Sequence, residues 1–194
     1  MPTVTALRRA GSRLAVELDG RPWRTLPVHV AVDAGLVLGV ELDRERARAL
    51  ARLLRRERAE SVAVQALARR EQSRHTLETR LERAGIARET RLEVLGRATR
   101  AGLVDDARFA NGRAEALARL GGDLLVLDDL SRHGVDEATA HAAVASLAPE
   151  SERVARIVAA RGATPRTLRY LAARGFAEES LESLVAEVES RALP

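Results

Sequence analysis

The adjacent carboxylates Asp105 and Asp106 are the chain's most chemistry-like pair. Paired acids offer hard oxygen ligands to a divalent cation, but Arg108 stands where a third acid would complete such a site. In Gly102-Leu103-Val104-Asp105-Asp106-Ala107-Arg108-Phe109-Ala110 we therefore read a helix cap. Gly102 ends one helix, Asp105 or Asp106 starts the next, and Phe109 packs inward. The histidines His29, His75, His133 and His141 lack zinc-ligand spacing, and there is no Cys to complete a site. Ser12, Ser61, Ser73 and Ser131 have no Gly-x-Ser-x-Gly context for a nucleophile. Gly121-Gly122 lacks the Lys of a phosphate loop and reads as a helix break. The expectation is a protein that is not an enzyme, with no cofactor and no metal.

Arginine is the more telling chemistry. All 32 basic residues are Arg against 28 acids, a net charge of +4, and the sequence pI is about 10.9. With no Lys, no Cys and one Tyr, almost nothing titrates between neutrality and the guanidinium range, so this pI is not in itself a nucleic-acid signature. Position matters more: residues 44–70 hold nine Arg and three Glu, whereas residues 114–194 hold nine Arg and thirteen acids. At helical spacing Arg44, Arg48, Arg52 and Arg55 share a face, with Arg56 at its margin. Arg69, Arg70 and Arg74 flank Glu71, and Arg80 and Arg83 follow in the next helix. Guanidinium forks suit phosphates and carboxylates alike; the alternative is a solvated helical face laced with i,i+4 ion pairs. Trp23, Phe109, Tyr170 and Phe176 are the only aromatics, too few for a base-stacking platform.

The elements that must carry these residues divide sharply. Leu14, Val16 and Leu18 alternate with Arg13, Ala15 and Glu17, and Asp19-Gly20 follows as a hairpin turn into Arg21–Leu26. Val4–Arg8 adds a third strand, and apolar stretches at Val28–Val32 and Leu36–Leu42 complete a small β-rich module over 1–42. From Asp43, a plausible N-cap, the pattern predicts helices over 44–70, 73–84, 88–101, 106–120, 123–133, 137–147, 150–161, 165–174 and 178–191. Ala47, Leu50, Ala51 and Leu54 form the packing stripe of the first. No run approaches 18 apolar residues and Met1-Pro2-Thr3 opens no signal peptide, so a soluble cytoplasmic protein without a membrane partner is expected.

Gly85, Gly134 and Gly175 anchor an internal repeat, 49 and then 41 residues apart. Each follows a Leu by four positions (Leu81, Leu130, Leu171) and precedes an apolar residue (Ile86, Val135, Phe176). Acids then open the following helix, at Glu89, Asp136-Glu137 and Glu178-Glu179. The pattern is helix, glycine C-cap, apolar clamp, helix. It predicts a mainly α fold: tandem three-helix repeats in an elongated curved array, preceded by the β-rich module. The expected segments are 1–42, a first repeat with a long leading helix over 43–104, and further repeats over 105–147 and 148–194.

These stretches resemble the RecX family, the regulatory proteins of RecA recombinase. Leu67-Ala68-Arg69-Arg70-Glu71-Gln72-Ser73-Arg74-His75-Thr76-Leu77 is similar to that family's Leu-x-x-Arg-x-x-Ser-x-x-Glu-Leu opening, with Thr76 in place of its Glu. Gly102–Ala110 matches its Gly-hydrophobic-hydrophobic-Asp-Asp-x-x-Phe-Ala signature, Arg174-Gly175-Phe176 fits its last repeat, and the β-rich start resembles its long-form members. The resemblance implies a monomeric, non-enzymatic modulator that lies in the groove of RecA–DNA filaments and suppresses ATP hydrolysis, strand exchange and coprotease activity. It implies contacts to single-stranded and double-stranded DNA, with Arg69, Arg70 and Arg74 in its basic motif and Asp105, Asp106 and Phe109 as structural signature residues. The runner-up is a general nucleic-acid-binding helical repeat acting without RecA. One departure shifts the expected phosphate contacts: where the family carries a basic Lys-Gly-x-Gly stretch, this chain has Arg119-Leu120-Gly121-Gly122-Asp123, then Asp128-Asp129. Phosphate contact then falls to Arg44–Arg70 and the first repeat.

Overall fold

The computed structural model describes residues 1–192; Leu193 and Pro194, the end of the expected third repeat, lie outside the described residues. Among the described residues the chain is mainly helical, with ten helices and one three-stranded antiparallel sheet. It forms two compact units, Met1–Ala66 with Leu81–Gly96, and Leu67–Arg80 with the residues from Arg97 on.

The first unit opens with β1 (Val4–Ala10), β2 (Arg13–Leu18) and β3 (Arg21–Pro27), paired in that order. Asp19 and Gly20 turn β2 into β3 with φ of 48° and 76°, the left-handed pair a two-residue hairpin requires. Asp19 Oδ1 also accepts from the Thr3 amide (2.9 Å), tying the turn to the chain start. The Val28–Val32 stretch, expected to extend the β-rich module, is instead the helix α1 (Val28–Asp33). Pro27 fixes φ at −57° ahead of it and the neighbours Val30 and Ala31 are both buried, which a strand with one solvated face does not allow. Leu36–Leu42 is likewise a connecting segment rather than a strand: Leu36 and Leu42 are buried while Val37 and Leu38 are exposed. Its one bridge is Thr3 to Glu41. The core of this part joins Val4, Val16, Leu26, Val30, Leu36 and Leu42 to Leu50 of the long helix α2 (Arg44–Leu67).

Asp43 caps α2, its Oδ1 accepting from the Arg46 amide (2.7 Å). Ala47 is exposed, and burial continues instead along Leu50, Ala59, Ala63 and Ala66. The helix stops at Leu67, short of the expected 70, because Gln72 and Ser73 are buried in the link that follows. Arg69 and Arg70 thus belong to a non-helical connection. Next come α3 (Arg74–Arg83) and α4 (Arg88–Arg100), each contributing to both units.

In the second unit α5 (Asp106–Ala118), α6 (Asp123–Arg132) and α7 (Glu137–Ala145) enclose Phe109, Ala110, Ala114, Val126, Leu130 and Val135. A second triplet, α8 (Glu150–Arg161), α9 (Pro165–Ala172) and α10 (Glu178–Ala192), encloses Val154, Leu171, Phe176, Leu181 and Leu184. Thr164 caps α9 ahead of Pro165, as the sequence predicts.

The repeated glycine is a Schellman cap in all three copies. Gly85, Gly134 and Gly175 have φ of 73°, 68° and 74°. The residue after each glycine donates to the carbonyl of the repeated Leu: Ile86 to Leu81 (3.1 Å), Val135 to Leu130 (3.1 Å) and Phe176 to Leu171 (3.3 Å). All six of these apolar side chains are buried, supplying the contact that accompanies the motif. The spacing legible in the sequence is thus a backbone device with its own hydrophobic clamp.

Candidate partner interface and helix junctions

The predicted binding arginines separate into two environments. Arg48, Arg52 and Arg55 are exposed on α2 at helical spacing, and no carboxylate pairs with them among the described residues. Arg56, the fourth, is engaged differently: its guanidinium meets Glu60 at 3.2 Å and Glu93 at 3.5 Å. That neutralisation removes Arg56 from the free cations of this face. Arg83, in the same unit, is exposed.

In the second unit Arg69, Arg70 and Arg80 are exposed and Arg74 is half-buried. Arg70 lines a cleft of about 370 Å³ with Glu71, Thr76, Phe109, Gly112, Arg113 and His133. Its charges are largely matched. Glu71 pairs with Arg108, and Arg113 grips Asp129 with two parallel bonds, Nε to Oδ2 (2.6 Å) and Nη2 to Oδ1 (2.9 Å). The Arg113 hydrogen bond holds the Asp129 carboxyl below the usual carboxylate range, against burial and with help from the Arg113 and His133 charges. His133 Nδ1 lies 2.8 Å from the Asp129 carbonyl, which can only accept, so the proton sits on Nδ1. Arg70 is the cation at this cleft with no acid partner among the described residues.

The Asp105–Asp106 pair does structural chemistry. Asp105 is the N-cap of α5 and accepts from the Arg108 amide (3.0 Å). Asp106 Oδ1 accepts from the backbone amide of Arg74, at the start of α3 (2.7 Å). Beside it Ser73 caps α3 through the Thr76 amide (3.1 Å) and donates to the His133 carbonyl (2.6 Å). A side chain on Gly134 would stand 2.4 Å from His75, so the turn at Gly134 is also where α3 rests. Phe109, 9% exposed, packs in the α5–α7 core with its ring 5.4 Å from that of His133. Among the described residues no group of three His or acidic side chains is placed to hold a metal.

The same junction recurs one repeat later, where it also uses Glu150 and Arg153, which the sequence pattern does not single out. The Asp123 amide, at the start of α6, donates to Glu150 Oε1 (2.6 Å), as the Arg74 amide does to Asp106. Gly122 donates to the Arg174 carbonyl (3.0 Å), the residue before the capping glycine, where Ser73 meets His133. Gly121-Gly122 is thus more than a helix break: a Cβ on Gly122 would lie 2.3 Å from the Gly175 carbonyl oxygen. Glu150 is 7% exposed and its second oxygen accepts from the Ala177 amide (3.0 Å), ahead of α10. Arg153, 6% exposed, pairs with Asp123 and donates to the Gly121 carbonyl (3.1 Å). Burial pushes the Asp123 carboxyl up, against the pull of Arg153. The available signal was arithmetic: Glu150 opens its triplet as Asp106 opens the one before.

No protein-family model matches the chain. Over 101 residues it is 35% identical to the regulatory protein RecX of Mycolicibacterium smegmatis, a stretch covering 51% of this chain and 54% of that one. The match therefore spans about half the length of that relative. A crystal structure of regulatory protein RecX shares the fold with a TM-score of 0.75 at 18% identity, over 96% of this chain and 100% of that one. RecX from Lactobacillus salivarius does so with a TM-score of 0.60 at 15% identity, over 70% of this chain and 97% of that one. The chain is thus similar in sequence to a regulatory protein RecX over about half its length and shares the RecX fold over nearly all of it.

Proposed function

We propose that this protein is a non-enzymatic regulator of RecA recombinase that binds RecA–DNA filaments and suppresses ATP hydrolysis, strand exchange and coprotease activity, within homologous recombination, DNA repair and the SOS response. The relationship to a regulatory protein RecX carries the reading. The unneutralised arginines support it: Arg48, Arg52 and Arg55 on α2, and Arg69, Arg70, Arg80 and Arg83 beyond it, offer forks to phosphates or to acidic protein surfaces. Arg74 contributes through its helix start, where its backbone is held by Asp106. Gly85, Gly134, Gly175 and Phe176 build the caps, and we take 43–104, 105–147 and 148–194 as the repeating units. The protein acts as a cytoplasmic monomer; among the described residues no helix is long and apolar enough to cross a membrane.

The test is single-strand-dependent ATP hydrolysis by RecA from the same organism, with this protein titrated well below one copy per RecA. Strong suppression at such ratios supports filament capping or groove binding. Loss of hydrolysis only when the protein covers the strand would instead favour a nucleic-acid binder acting without RecA, by competition for phosphates. Replacing Arg69, Arg70 and Arg74 together by Ala should weaken suppression while the helical circular dichroism stays intact.

A further inference from the structure

The last helical triplet, α8–α10, lies in the acid-rich part of the chain, yet a group of its arginines meets no acid among the described residues. The Arg161 guanidinium carbon sits 4.0 Å from the centroid of the Tyr170 ring and that of Arg174 sits 5.1 Å from it. Neither guanidinium has a carboxylate within ion-pair distance among the described residues. Residues 114–194 hold thirteen acids, so counter-charges are plentiful in composition and are placed elsewhere. Arg166, exposed and four residues before Tyr170 on α9, lies on the same helix face and also lacks an acid partner.

The geometry has a chemical consequence. Stacking on an aromatic ring uses the flat face of a guanidinium and leaves its N–H donors free at the edge. Tyr170 packs against the buried cluster of Leu171 and Phe176, which gives the stack a rigid floor. Arg174 is fixed further by donating Nη1 to the Leu120 carbonyl (2.9 Å), a neutral partner that leaves its charge uncompensated. Holding like charges around one ring is unfavourable in the free protein, and an anion bridging the forks relieves it. Two uncompensated cations held at one ring, with Arg166 exposed on the same helix face, suit the phosphates of a polymer better than a single carboxylate.

We propose that Arg161 and Arg174, both set against the Tyr170 ring, and Arg166 on the same face of α9 form a phosphate-binding clamp for the sugar–phosphate backbone of a nucleic-acid strand. The clamp lies outside the arginine-rich stretch from Arg44 to Arg74. It reads charge and not bases, because the ring that would otherwise stack a base is occupied by the arginines.

The experiment measures binding of a fluorescein-labelled oligothymidylate to the full chain by anisotropy across a salt series. Each single-strand phosphate contact adds about 0.7 to the log–log salt slope, about five-fold in affinity at 0.1 M salt relative to 1 M. Arg161→Gln, which breaks no hydrogen bond seen among the described residues, should weaken binding about five-fold and flatten the slope by about 0.7. Adding Arg174→Gln should bring the loss to about 25-fold and the flattening to about 1.4. Tyr170→Phe, which keeps the ring, should bind as the parent does. Unchanged affinity and slope in Arg161→Gln would overturn the clamp, as would a parent chain that does not bind the strand. Arg161-dependent binding of polyglutamate, with strand binding indifferent to Arg161, would overturn it in favour of an acidic protein surface.

Discussion

Glu150 carries the clearest energetic consequence of the junction between the last two helical triplets. Its carboxylate is 7% exposed and accepts from the Asp123 amide at 2.6 Å and the Ala177 amide at 3.0 Å, at the start of α6 and ahead of α10. Hydrogen bonds to a charged acceptor contribute about 1.5–3 kcal/mol each, and the donors left behind would be part-buried and unpaired. Glu150→Ala should therefore destabilise by about 3–5 kcal/mol, lowering the melting temperature by roughly 10 °C for a chain of this size. Glu150→Gln keeps one acceptor oxygen but turns an amide NH2 toward the second donor, so it should cost about 2 kcal/mol. Urea unfolding followed by helical circular dichroism reads both. A change below about 1 kcal/mol in Glu150→Ala would refute the idea that one carboxylate holds two helix starts together.

Glycine replacements separate backbone strain from close approach. Gly85→Ala meets only the left-handed φ of 73° with open space around it, so about 1–2 kcal/mol is expected. Gly134→Ala adds a Cβ 2.4 Å from the Cβ of His75 and should cost at least about 1 kcal/mol more in the same urea assay. Asp129, held below its ordinary value of 3.8, should stabilise the fold above that value and lose the contribution as pH falls through its lower folded one. Asp129→Asn should flatten that acid limb in stability measured against pH, while Asp123, whose carboxyl is raised, acts with the opposite sign. In DNA binding, changing Arg48, Arg52 and Arg55 together to Gln should lower the salt slope by about 2–3, whereas Arg56→Gln should leave it nearly unchanged.

Much of the fold is legible because local rules agree with tertiary ones. Asp19-Gly20, Asp43, Thr164-Pro165 and the three capping glycines each satisfy a backbone need that the sequence pattern announces directly. Val28–Val32 misleads because an apolar, β-branched run reads as strand, while Pro27 and the adjoining core make it a helix. Arg69 and Arg70 fall outside α2 because Gln72 and Ser73 must be buried beyond them, a demand of the α3 junction invisible to periodicity. The arginine clusters are visible in composition, but which of them are neutralised is not. Glu93 lies 37 residues from Arg56, and Tyr170 gathers Arg161 and Arg174 from different elements.

The most direct measurement compares affinity for a RecA–single-strand filament, assembled with a non-hydrolysable ATP analogue, with affinity for the bare strand at the same raised salt. Phosphate contacts alone weaken steeply there, losing about 0.7 in log affinity per contact for each tenfold rise in salt. Tight binding to the filament is expected at a salt concentration where bare-strand binding has been lost. Equal affinities for filament and bare strand across the salt series would contradict it.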